Sequence, residues 1–144
     1  MNDVQLGDWR NRYLLECIPQ ISWMAGADGC FECGNGRCLE FTGLNLEQLR
    51  GSGWRSVVHP EDLSRWMVHW QAALRLGEPY RLNYRLRRRD GVYRWHLLLA
   101  QPVYDGDGLV IRWFGTCTDI HRYKLLELSL HDREIGPGFS DDPL

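Results

Sequence analysis

The strongest constraint on how this chain folds is a change of hydrophobic period at Gly77. Before it, Leu63, Trp66, Met67, Trp70 and Leu74 recur at steps of three and four, the stripe of one amphipathic helix. After it, Tyr80, Leu82, Tyr84 and Leu86 alternate with Arg81, Asn83, Arg85 and Arg87, as in a strand with one apolar face. Asp90-Gly91 then supplies a turn, with the positive φ angles of a tight hairpin. The returning run puts Tyr93, Trp95, Leu97 and Leu99 on one face. "YDGDG" (104–108) turns the chain again, and residues 109–120 read as a third strand. A long one-sided helix leading straight into a meander buries its stripe by lying on the sheet.

The upstream half fits the same plan. Leu6, Trp9, Tyr13 and Cys17 make the stripe of a short helix that Pro19 stops, because the residue before a proline avoids helical angles. Residues 21–25 alternate as a strand, Asp28-Gly29 turns, and "CFECG" returns. Asn35 is placed to cap a helix over "RCLEFT", with Gly43 at its left-handed end. "NLEQ" (45–48) is an Asn-x-x-Gln form of the capping box. "HPED" (59–62) sets Pro60 at a first helical position with acids behind it, where the helix dipole favours them. Two strands, several helices and three more strands predict an α+β domain: a five-stranded antiparallel sheet with helices packed on one face.

Composition removes several function classes. The chain has 144 residues, of which 44% are hydrophobic and 25% charged, the profile of one globular domain. No apolar run approaches the roughly 20 residues that cross a bilayer, and the N-terminus lacks the pattern of a signal peptide. The expectation is a cytoplasmic domain without membrane insertion. With a formal net charge of −2, the locally basic "RLRRRDG" (85–91) reads as a solvated hairpin end, and no nucleic-acid partner is expected. No phosphate-binding loop, nucleophile elbow or His-Glu-x-x-His helix is present. Glu61 and Asp62 are explained by their place at a helix start, so no catalytic residue is assigned and the chain is not expected to be an enzyme.

"GWRSVVHPEDLSRWMVHWQAAL", "YRLNYRLRRRDGVYRWHLLLAQPVYDGDG" and "RWFGTCTDIHRYK" together resemble the PAS fold with its C-terminal PAC motif. The variety is the one common in bacterial sensor histidine kinases and cyclic-di-nucleotide enzymes of two-component and related signalling. The resemblance runs from about Leu14 to Glu127. With the N-terminal apolar stripe and the Gly-, Pro- and Asp-rich end, the expected divisions are an N-terminal helix (1–18), a PAS/PAC core (19–122), a C-terminal signalling-type helix (123–135) and a disordered tail (136–144). The chain also departs from the family. Asp119-Ile120-His121 stands where the family often has Asp-Ile-Thr, and Asn83 stands where it often has Glu. "GNGRCLEF" differs from the Asn-Cys-Arg-Phe-Leu-Gln stretch of the blue-light flavin subclass, so flavin photochemistry is not expected.

The resemblance implies a sensory module whose small ligand lies between the long helix and the inner sheet face, against Trp66, Met67, Trp70, Tyr84, Trp95, Leu97 and Phe114. The alternative is that these bulky residues fill the core and the domain only dimerises or docks. Haem-binding relatives take an axial histidine from the long helix, and His69 is the one histidine well inside it. Asp119, Ile120 and His121 mark the signal exit toward an output domain. Tyr123, Leu126 and Leu130 follow with the spacing of a short coiled-coil seam. Leu6, Trp9 and Tyr13 offer a stripe for a homodimer. Among the five cysteines, Cys30, Cys33 and Cys38 supply at most three ligands to a site that needs four. Strand alternation turns Cys30 and Cys33 apart, and an iron–sulfur subclass uses two C-x2-C pairs where this chain has one. They are expected to be structural; redox-active thiols and a metal or iron–sulfur site remain the alternatives, and no cofactor is assigned.

Overall fold

The computed structural model describes residues 13–134; Leu6, Trp9 and the tail expected over 136–144 lie outside them. The chain enters with helical residues 13–17 (α1). It continues through β1 (Ile21–Gly26), β2 (Phe31–Gly34), α2 (Gly36–Thr42), α3 (Leu46–Leu49), a 3-10 helix (Gly53–Val57) and α4 (Pro60–Leu76). The second half is β3 (Tyr80–Arg87), β4 (Tyr93–Tyr104), β5 (Val110–Asp119) and α5 (His121–Glu134). The five strands form one antiparallel sheet in the order β2-β1-β5-β4-β3. This is the expected α+β architecture.

The caps read from sequence hold the helices. The Asn35 side chain accepts from Cys38 N, and Gly43 ends α2 at φ 71°. Asn45 and Gln48 exchange the two bonds of a capping box. Pro60 opens α4, the His59 ring accepts from Glu61 N, and Gly77 closes it at φ 66°. Asn35 does more than cap. Only 1% exposed, it also accepts from Ser22 N at 3.2 Å and donates to Gln20 O at 2.7 Å, so it ties β1 and the preceding chain to α2.

The hairpin turns differ from expectation in one respect. Among the described residues only glycines have positive φ, so each Asp-Gly pair uses the left-handed region once and not twice. At residues 26–30, Gly29 N donates to Gly26 O and Gly26 N to Cys30 O. The turns at Gly91 and Gly108 repeat that pattern, a three-residue loop closed by a left-handed glycine.

One face of the sheet carries the core: Ile21, Trp23 and Ala25, Tyr80 through Leu86 at every second residue, Leu98, Ala100, Trp113 and Cys117. Over it lie α2, α3, the 3-10 helix and α4, the last burying Trp66, Trp70 and Ala73. A fully buried side chain of this size contributes about 1.5–3 kcal/mol. The terminal helices serve the other face. Leu15 of α1 packs with Met24, Cys33 and Phe114, and Lys124 of α5 lies over the Trp95 ring. The helix α5 starts at His121, two residues before the boundary expected from sequence.

Candidate functional site

The functional candidate is a cleft of about 260 Å³ between α4, the β1–β2 turn and the segment at 51–55. Its walls are Trp23 and Ala25 of β1, Phe31, Trp54 of the 3-10 helix, Leu98 of β4, and Trp66, Met67, Trp70 and Leu74 along α4. Helical spacing of those four α4 residues places them in one row facing the turn. Asp28, Ser52, Arg55 and Gln71 also line it and give an otherwise aromatic cavity a few polar groups.

The aromatic rings are locked against one another. Trp70 meets Trp23 edge-on at 5.9 Å and Trp113 at 5.0 Å, and its ring lies 5.7 Å from Tyr80. Phe31 stacks on Trp54 at 5.6 Å with planes 11° apart. The turn itself is drawn over the end of α4. A Cβ on Gly29 would fall 2.6 Å from Leu74 Cδ1 and 3.1 Å from Trp70 Nε1, so only glycine fits there. Asp28 Oδ1 accepts from Cys30 N at 3.0 Å, which fixes the turn and sets a carboxylate beside the Cys30 thiol. Burial and that carboxylate push the thiol upward, with Arg55 opposing. Cys30 is therefore held as a neutral thiol rather than an activated thiolate.

The sequence-predicted lining residues divide into two groups. Trp66, Met67 and Trp70 line the cleft. Tyr84 is on the same sheet face but below it, wholly buried, with its hydroxyl 3.4 Å from Cys117 Sγ. Trp95, Leu97 and Phe114 are on the opposite face, and their expected place in the pocket is corrected. In β4 the inward residues are His96, Leu98 and Ala100, paired with Tyr84, Leu82 and Tyr80 of β3. In β5 they are Trp113, Gly115 and Cys117. The reason is volume. Trp23, Trp70 and Trp113 fill the inner layer, and small residues must sit beneath them; a Cβ on Gly115 would overlap the Trp23 indole. The bulky Trp95, Leu97 and Phe114 take the other face.

His69 does not reach the cleft either. It is exposed on α4, with Nδ1 2.8 Å from Arg65 O. The cysteines are dispersed. Cys30 lines the cleft, Cys33 belongs to the cluster with Leu15, and Cys38 and Cys117 are in the main core. Burial raises both core thiols, Cys117 to about 12 and Cys38 beyond the ordinary thiol range. Among the described residues no three His, Cys, Asp or Glu side chains converge as metal ligands. Cleft residues 28–30 and 51–55 were not foreseen. The one signal available was Gly29, whose turn must approach another element closely.

The signal-exit residues form a compact joint between β5 and α5. Arg94 Nε donates to Asp119 Oδ2 at 2.6 Å, and Asp119 Oδ1 accepts from His121 N at 2.9 Å. Ile120 N donates to Trp95 O at 2.9 Å, while Trp95 N donates to His121 Nδ1 at 3.1 Å. Tyr13 of the expected dimer stripe is 61% exposed, and on α5 so are much of Tyr123, Leu126 and Leu130.

The sequence profile of the family described as PAS fold matches residues 34–117. The uncharacterized protein y4lL of Sinorhizobium fredii is 35% identical over 119 residues, 81% of this chain and 14% of that protein. The peroxide stress-activated histidine kinase mak1 of Schizosaccharomyces pombe is 38% identical over 133 residues, 86% of this chain and 8% of that protein. This chain thus spans a small part of the curated relatives it matches. Among solved structures, the N-terminal domain of a diguanylate cyclase with PAS/PAC sensor from Marinobacter aquaeolei superposes with a TM-score of 0.65 at 24% identity, over 72% of this chain and 97% of that one. No helix of the described residues is long and apolar enough to cross a membrane. With the matched profile, the five-stranded sheet and the helices laid over it, the chain belongs to the PAS-fold family.

Proposed function

We propose that this domain is a sensory module of a signalling protein: the cleft beside α4 takes a small, flat, largely apolar ligand, and α5 carries the response to an output domain or partner. The observation that supports it most is the cleft itself. Its volume of about 260 Å³ suits a molecule of one or two rings, its walls are aromatic, and its polar groups are few. Relatives of matching sequence include a histidine kinase, in which this region is one small part. No catalytic step is assigned to this chain; kinase or cyclase chemistry belongs to an output domain.

A ligand-free dimerisation or docking module is the second reading. It is favoured by the apolar side chains that α1 and α5 leave exposed, Tyr13 and Leu14 on one and Tyr123, Leu126 and Leu130 on the other. In either reading a homodimer would join copies through these helices.

A thermal-shift screen with one- and two-ring aromatic carboxylates and their neutral analogues separates the readings. It is run on the wild type and on Gln71→Trp, whose added indole would occupy the cleft. The expected result is a compound that raises Tm in the wild type and not in the variant. A compound that stabilises both equally binds elsewhere and refutes the cleft as its site. No shift across the panel favours the docking module.

A further inference from the structure

Two cations share one indole on the sheet face opposite the cleft. The Arg85 guanidinium carbon lies 5.0 Å from the Trp95 ring centroid, and Lys124 Nζ lies at the same distance. Lys124 belongs to α5, and its side chain is 3% exposed, with Glu127 Oε1 at 3.6 Å. A lysine so buried is uncommon without a partner, and here the partners are the ring and the glutamate.

Arg85 is held from the other side of the molecule. It is on β3, the edge strand, and from that edge it reaches α4. Asp62 Oδ2 accepts from both Arg85 N and Nε, at 2.8 and 3.0 Å, and Asp62 Oδ1 accepts from Nη2 at 2.8 Å. Glu61 Oε2 adds a bond at 3.2 Å. Asp62 is 4% exposed and stands one helical turn before Trp66, a wall of the cleft. A displacement of α4 at Trp66 must therefore move the carboxylate that positions Arg85.

We propose that Asp62, Arg85, Trp95 and Lys124 form a contact relay by which the position of α4 sets how firmly α5 is docked on the sheet. The relay gives the cleft its route to the output helix and rests on the sensory reading above. The outward row of β3 beside Arg85 also holds an unpaired amide. Asn83, two residues from Arg85 in the same outward row of β3, is 2% exposed, and neither of its amide atoms has a hydrogen-bond partner.

The test needs no ligand, so it can fail while cleft binding stands, and the reverse. Amide hydrogen exchange is measured in α5, residues 122–130, relative to β4 and β5 of the same protein. Arg85→Met should speed exchange in α5 by about twofold to threefold relative to the strands, part of the one cation–π contact that Lys124 makes with the Trp95 ring that Arg85 braces. Arg85→Lys, which keeps a cation, should restore part of the protection. In a Lys124→Met background, where the seat is already lost, Arg85→Met should have no further effect on α5. Because Arg85→Met takes the guanidinium from the buried Asp62 carboxylate and leaves it the residue-85 backbone N–H and Arg65 at 3.6 Å, the pair Asp62→Asn with Arg85→Met repeats the measurement without that carboxylate charge. Unchanged α5 exchange in both, a slowing of it, or additive effects of Arg85→Met and Lys124→Met would overturn the relay.

Discussion

Asn35 offers the sharpest test of how the first hairpin is held, because one side chain bonds three segments: the chain before β1, β1 itself and α2. In the structure Oδ1 accepts from Cys38 N at 3.0 Å and from Ser22 N at 3.2 Å. Nδ2 donates to Gln20 O at 2.7 Å, with Leu15 O and Ile18 O at 3.3 and 3.4 Å. Asn35→Ala removes the α2 cap, which costs about 1–2 kcal/mol. It also takes the side-chain partner from Ser22 N of β1 and from Gln20 O just before it, at about 1–3 kcal/mol each where water cannot replace the bond. The expected loss is about 3–4 kcal/mol, a large share of the roughly 5–15 kcal/mol that stabilises a domain of this kind. Urea unfolding followed by far-UV circular dichroism measures it, with an unchanged m-value confirming that the folded and unfolded states are otherwise comparable. Asn35→Asp is the informative partner. It keeps the acceptor but turns a carboxylate oxygen toward Gln20 O, so it should be less stable than wild type at neutral pH and recover when the carboxyl is protonated. A loss below about 1 kcal/mol for Asn35→Ala would mean that the side chain does not tie these segments together.

Two further predictions follow from the core. Gly115→Ala should cost more than about 2 kcal/mol, since the new Cβ would overlap the Trp23 indole and approach Leu99 O; loss of near-UV circular dichroism with far-UV signal retained would locate the damage in the Trp layer. Stability should fall with acid in two windows. Burial lowers the pKa of His96, so its contribution is full above the unfolded value near 6.5 and is lost as pH falls through the lowered folded value; His96→Gln should flatten that window. Burial alone would raise Asp62, but its hydrogen bonds to Arg85 outweigh this and lower it. The stability it provides is therefore present above about pH 3.8 and lost as pH falls through the lowered value.

The elements were legible in the sequence because local chemistry decides them. Asn35, the Asn45–Gln48 pair, Pro60, Gly43 and Gly77 each satisfy or end a helix through their own neighbours. The faces of β4 and β5 were not legible. Alternation separates Trp95 and Leu97 from His96 and Leu98, but it does not say which set is inside. The choice depends on Trp23 and Trp70, far away in sequence, which leave room only for Ala100 and Gly115. A helix on the outer face then gives Trp95 a partner, so both faces of the strand carry apolar residues. The turn and loop sides of the cleft were illegible for the same reason. Residues 28–30 and 51–55 meet α4 only through the tertiary fold.

Whether the cleft holds a ligand is read most directly by native mass spectrometry of the unheated protein, before and after incubation with two-ring aromatic acids. The expected result is one small molecule per chain, retained from expression or acquired on incubation, and its loss in Gln71→Trp. A chain that keeps its bare mass under every condition, or that binds equally well with the cleft filled, would contradict it.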